Sequence, residues 1–118
     1  MIDIHFYADS RGRQPVLEWI QEIEKSDPVT FRKTFQLLTM LRENGRFILS
    51  GQSRRKDIKK LSGTDIWQLR INDNRVLFFY FSGNAIVLTN QFQKKQKSTP
   101  KTEIERAEAR RKEWLEKQ

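Results

Sequence analysis

Three apolar stretches follow one another between Ile66 and Phe92, separated only by three-residue turn signals. In Ile66–Ile71 the residues Trp67, Leu69 and Ile71 alternate with Gln68 and Arg70, a period of two that reads as a half-buried strand. Asn72-Asp73-Asn74 supplies turn chemistry, and Arg75–Phe81 pairs back as a hairpin. Ser82-Gly83-Asn84 turns the chain again into Ala85–Phe92. This close succession predicts an antiparallel meander and leaves little room for any other arrangement of the chain's second half.

The first half supplies what such a sheet lacks, a cover. Ile2, Ile4 and Phe6 alternate with Asp3, His5 and Tyr7, which predicts an opening strand joining the edge or centre of the sheet. Pro15 suits the first turn of a helix, and Val16, Trp19, Ile20 and Ile23 follow at helical spacing. Asp27-Pro28 reads as an N-cap and first helical position for a second helix. Phe31, Phe35, Leu38 and Leu41 fall on its face, and Asn44-Gly45 reads as its stop. A hairpin of helices from 15 to 44 therefore covers one sheet face, burying Trp19, Phe31, Phe35, Leu38, Trp67 and Leu69. Thr99-Pro100 reads as the cap of a charged last helix, Lys101–Gln118, whose apolar contacts are Ile104, Ala107, Trp114 and Leu115. The fold expected is α+β in the order β-α-α-β-β-β-α, an antiparallel sheet with a helical hairpin on one face and a C-terminal helix. The other face is left concave and basic. At 118 residues the chain is one domain, 1–118, with no linker or repeat.

Charge narrows the partners. Lys and Arg number 23 against 15 Asp and Glu, a formal charge of +8. Such an excess attracts phosphate. No apolar run nears the ~20 residues of a membrane helix, and the N-terminus lacks the layout of a signal peptide, so a cytoplasmic protein with no membrane partner is expected. With no Cys and the single His5, a zinc site is not expected, and no metal or other cofactor is implied. Nor is there a glycine-rich phosphate loop or a nucleophile elbow.

The residues that stand out are cations. Arg70 lies on the strand face opposite Trp67 and Leu69, and Arg75 faces it across a short turn, so two guanidinium groups can clamp one phosphate. Lys94, Lys95 and Lys97 follow the last strand. The basic run Ser53–Lys60, with Arg54, Arg55, Lys56, Lys59 and Lys60, suits phosphate contacts that position a nucleic acid. Tyr80 and Phe92 can stack on unpaired bases. The plainer readings are solvated strand charges, core aromatics and, for His5, a structural role. In RNA cleavage the 2′-hydroxyl is the nucleophile, so the protein need only align it, neutralise charge and move protons. Arginine can neutralise; lysine can also exchange a proton if like charges depress its pKa.

The order of elements, Ile66-Trp67-Gln68-Leu69-Arg70, Asn74–Tyr80 (Asn-Arg-Val-Leu-Phe-Phe-Tyr) and the run Asn90–Pro100 with its Lys94, Lys95 and Lys97 resemble the phage-related HigB branch of the RelE/ParE toxins. The resemblance covers nearly the whole chain. It implies a type II toxin that cuts messenger RNA on the ribosome without a metal, silenced by a cognate antitoxin that is often a small helix-turn-helix protein. It implies catalytic roles for Arg70, Arg75, Lys94 and Lys95, with Arg75 on the scissile phosphate. Two features depart from it. Gln68 stands where many relatives carry Glu, and no Tyr or His lies between Phe92 and Trp114. ParE-type relatives bind DNA gyrase instead, and an inactive nucleic-acid-binding regulator is a further alternative.

Overall fold

The computed structural model describes residues 1–51 and 55–118. Its elements are β1 (Asp3–Phe6), α1 (Pro15–Ser26), α2 (Pro28–Leu49), β2 (Ile58–Lys60), β3 (Ile66–Ile71), β4 (Asn74–Phe81), β5 (Ala85–Gln93) and α3 (Lys101–Glu116). They form one five-stranded sheet in the order β1-β5-β4-β3-β2. The meander β3-β4-β5 is antiparallel, as its turns require. β1 joins the edge beside β5 and runs parallel to it, a direction that alternation does not encode. β2 is an addition to the expected order: the stretch around Ile58 is a short edge strand with Ile58 opposite Leu69. Its two lysines hid a strand whose one buried residue is Ile58, and Lys on an edge strand is a usual guard against further pairing.

Both helix starts follow the sequence. Pro15 and Pro28 occupy first-turn positions, and Asp27 accepts hydrogen bonds from the Thr30 backbone N–H (3.2 Å) and hydroxyl (2.6 Å). The end of α2 does not follow it, because the helix runs past Asn44-Gly45 to Leu49. Gly45 is there for space: a Cβ at this position would sit 2.5 Å from Cδ1 of the buried Ile2. The glycine admits Ile2, the residue before β1, against the helix and does not mark a left-handed stop.

The helical hairpin packs on one sheet face. Leu69, Ile71, Val76, Phe78, Ile86 and Leu88 meet Val16, Leu37, Leu41 and Ile48, with Trp19, Leu38 and Trp67 partly buried around them. Trp67 stacks on Phe78 with ring centroids 6.2 Å apart. Phe35 corrects the expected core: it is 63% exposed and stacks only on the half-buried Phe31.

The opposite face is not bare, as had been expected. α3 lies over much of it, and Ala107, Ile104 and Trp114 close a second apolar cluster with Leu77, Phe79, Val87 and Phe92. Leu115 stays largely exposed. Polar stitches fix the helix to β5, whose register shifts opposite Leu77 and Phe78. Arg110 donates to the Thr89 carbonyl (2.8 Å), and Asn90 Nδ2 donates to the Glu103 side chain (3.0 Å). Thr99 does not cap α3; the cap position is Pro100, with no side-chain hydrogen bond. What α3 leaves open is the end of the sheet around the β3–β4 turn.

Candidate nucleic-acid interface

Arg70 and Arg75 are direct cross-strand partners. Like charges opposite one another disfavour strand pairing, so their pairing asks for another reason. The turn between them places Asn72 at φ 55, a left-handed conformation that Asn tolerates better than most residues. Its carbonyl then points back at Arg75. Arg75 Nη1 donates to the carbonyls of Asn72 (2.7 Å) and Asn74 (2.9 Å).

The two arginines differ in depth. Arg70 is exposed, as expected. Arg75 is only 4% exposed, and its Nε has no hydrogen-bond partner among the described residues. No carboxylate forms an ion pair with either guanidinium among the described residues. Burial, and then the Arg70 charge, push the Arg75 pKa down, against a small opposing pull from Asp73. Arginine stays cationic even so. Arg75 is therefore a buried, incompletely satisfied cation braced by its own turn, rather than the freely reaching clamp expected.

Three further cations converge on it. A small pit of ≈ 70 Å³ is lined by Arg70, Arg75, Lys94, Lys59, Lys56, Gln68 and Asp57. β2 brings Lys59, which pairs opposite Gln68 and so shares its face. Lys94 is held by its backbone N–H, which donates to the Asp73 carbonyl (2.7 Å). Partial burial, followed by repulsion from Arg75, Arg70 and Lys59, holds its ammonium below the usual lysine range. Gln68 is buried and accepts a hydrogen bond from the Thr99 hydroxyl (2.7 Å), tying the segment after Lys97 to the rim of the pit. Alternation alone had placed Gln68 in solvent. Among the described residues five cations surround one carboxylate, a balance of charge that suits an anion.

The remaining expected residues fall elsewhere. Phe92 is Arg75's partner on β5, but it is buried in the second cluster and does not line the pit. Tyr80 is a correction: it sits five residues along β4, about 17 Å from Arg75, on the helical-hairpin face, and its hydroxyl donates to the Gly83 carbonyl. Lys60 pairs with Trp67 and so also faces that side. Lys95 and Lys97 are exposed in the segment after β5 and do not line the pit. Arg55 grips Asp57 through two hydrogen bonds of 3.0 and 3.1 Å. Arg54 lies outside the described residues. His5 is on the far edge strand, its ring 5.7 Å from that of Trp114. No group of three His, Asp or Glu residues among the described residues could hold a metal ion. No helix among them is long and apolar enough to cross a membrane.

The fold is shared with solved structures. The YoeB dimer from Staphylococcus aureus matches with a TM-score of 0.56 at 19% identity, over 81% of this chain and 98% of that one. The heterotetrameric YoeB–YefM toxin–antitoxin complex from the same organism matches with a TM-score of 0.54 at 19% identity, over 82% and 99%. No curated protein matches the sequence. A family model does, the phage derived protein Gp49-like family (DUF891), across residues 18–112. That span includes most of α1, all of α2, the strands β2 to β5 and most of α3, and the chain belongs to the Gp49-like family.

Proposed function

We propose that this protein is the toxin of a type II toxin–antitoxin pair, a metal-independent endoribonuclease that cuts messenger RNA on the ribosome in the cytoplasm. The observation that carries this reading is the pit at the β3–β4 turn, where a buried arginine with an unpartnered Nε meets four other cations. The fold shared with YoeB, solved in toxin–antitoxin complexes with YefM, and the sequence resemblance to the HigB branch support the same reading. So does a cognate antitoxin as partner, drawn to a chain of charge +8.

In this reading the scissile phosphate occupies the pit. The 2′-hydroxyl loses its proton to solvent as its oxygen attacks phosphorus, the bond to the 5′-oxygen breaks, and charge gathers on the non-bridging oxygens. Arg75 and Arg70 neutralise that charge, and because Arg75 is held by its turn it needs no reorganisation during the reaction. Lys94, with its depressed pKa, is suited to handing a proton to the departing 5′-oxygen. Lys59 and Lys56 hold the strand, and the exposed Lys95 and Lys97 extend that attraction without touching the reacting atoms.

The test is transcript cleavage on programmed ribosomes with purified parent and Arg75→Ala protein. Cleavage by the parent that drops in the variant is the expected result. Equal cleavage by both places the chemistry elsewhere. No cleavage by either, together with inhibition of DNA gyrase, supports the ParE-type alternative.

A further inference from the structure

Beside the pit lies a second, larger depression that the cleavage chemistry does not use. This open groove of ≈ 720 Å³ is lined by Lys33 of α2, by Arg55 and Lys56, by Arg70, and by the Asn72–Asp73 turn. It shares Lys56, Asp57 and Arg70 with the pit, so the two are continuous. A row of cations thus leads from Lys94 and Arg75, past Arg70 and Lys56, around the end of the sheet to Lys33.

The lining tells what such a groove can hold. Its described lining residues include no aromatic ring to stack on a base. Of its two carboxylates, Asp57 is already matched by Arg55 at 3.0 Å, which leaves Lys33, Lys56 and Arg70 against Asp73. At roughly ten times the volume of the pit it exceeds the needs of a single phosphate. A polyanionic backbone fits this chemistry, and contacts of that kind position a strand without reading its sequence.

We infer that the groove is a second phosphodiester subsite, holding the backbone of nucleotides that flank the one in the pit, with Lys33 as its outer contact. This rests on the pit holding a phosphodiester of the same strand. Lys33 is a positioning residue: it lies on α2, outside the pit lining, and acts on affinity and register rather than on the reacting atoms.

The experiment measures binding of single-stranded, fully 2′-O-methylated RNA, which cannot be cleaved, by fluorescence anisotropy without ribosomes. A trinucleotide reaches the pit alone; a nonanucleotide also reaches the groove. Lys33→Gln is expected to weaken the nonanucleotide about two- to fivefold, as for one exposed charge contact. It should also lower the slope of log affinity against log salt by about 0.7. Lys33→Glu weakens it further. Neither variant alters trinucleotide binding, which doubles as the check on folding. Arg70→Ala weakens both lengths. If the Lys33 variants weaken both oligonucleotides equally, Lys33 does not act through flanking nucleotides and the inference fails. It fails as well if they weaken neither. Should Arg70→Ala leave the trinucleotide unaffected, the reading of the pit itself is overturned, and that result is distinguishable from the first two.

Discussion

The two faces of the sheet are built from alternate residues of the same strands. On the α1–α2 side β3 and β4 present Leu69, Ile71, Val76 and Phe78, all 1% exposed or less. On the other side they present Ile66, Leu77 and Phe79, which are core residues of the usual kind, together with Gln68, Arg70 and Arg75, which are not. The first face excludes water over its whole length and holds the strands in register. The second is apolar under α3 and then changes, at the β3–β4 turn, to cations that run from the buried Arg75 through the half-buried Lys94 to the exposed Arg70 and Lys59. A pit of like charges exists only because the opposite face tolerates its repulsion. A one-residue slip of β3 would exchange the faces and destroy both.

Breaking this division takes substitutions on each side, and the largest stability effect belongs to the helical side. Phe78→Ala empties space between β4 and the helices and removes the partner of Trp67, so it is expected to lower unfolding free energy by about 3–5 kcal/mol. Urea denaturation measures it. A loss below about 1 kcal/mol would mean that the core on this side does not carry the stability assigned to it.

Arg75→Met is the matching change on the other face. Methionine fills similar volume without a desolvated charge, and replacing buried ionic groups by apolar ones is often neutral or stabilising. Unfolding free energy is therefore expected to stay level or rise. Ribosomal cleavage is expected to fall roughly 10²–10³-fold, the usual cost of one charge contact in a transition state. Loss of stability comparable to Phe78→Ala would make Arg75 a structural residue and erase the contrast between the faces.

Gln68 sits at the boundary, buried yet polar. Gln68→Leu strips the Thr99 hydroxyl of its acceptor, with an expected cost of about 1 kcal/mol and a looser segment after Lys97. Gln68→Glu keeps an oxygen acceptor and should restore the tether. The readout is amide hydrogen exchange of residues 94–99: faster in the leucine variant, near parental in the glutamate one. Unchanged exchange in both variants would show that the hydrogen bond does not hold the segment.

Much of this division is legible in the sequence, because it rests on period and turn chemistry. Trp67, Leu69 and Ile71 mark one face by spacing alone, and Asn72-Asp73-Asn74 brings Arg70 opposite Arg75. The failures share a cause: local signals were overruled by long-range contacts. Asn44-Gly45 looks like a helix stop, but Gly45 serves the approach of Ile2, 43 positions away. Phe35 satisfies the helical period and still faces solvent, since the stripe of α2 that is buried runs through Thr30, Thr34, Leu37, Leu41, Gly45 and Ile48. Gln68 alternates like a surface residue and is buried because Thr99 comes back across it. β2 is hidden by lysines, yet it is β2 that supplies Lys59 to the pit. The depth of Arg75 has no sequence signal either, because it depends on two turn carbonyls that only the folded chain aims at one nitrogen.

The finest distinction between the faces is electrostatic, and Lys94 carries it. Its pKa is lowered because the folded protein surrounds the ammonium with Arg75, Arg70 and Lys59 and takes away part of its water. A pKa lowered on folding means that the cation is the disfavoured form. Its penalty is fully present below the folded pKa, and stability rises with pH from there up to the ordinary lysine value of about 10.4. A bound phosphodiester reverses the shift, since a negative charge favours the ammonium. Above the lowered pKa, binding must therefore take up a proton, and affinity falls as pH rises through that point. Arginine does not titrate there. For the 2′-O-methylated trinucleotide, the parent's affinity is expected to begin falling at a lower pH than that of Lys94→Arg. Anisotropy titrations across alkaline pH measure both profiles. Parallel profiles would show that Lys94 is an ordinary surface lysine, and the proton it is assigned in cleavage would have to come from another group.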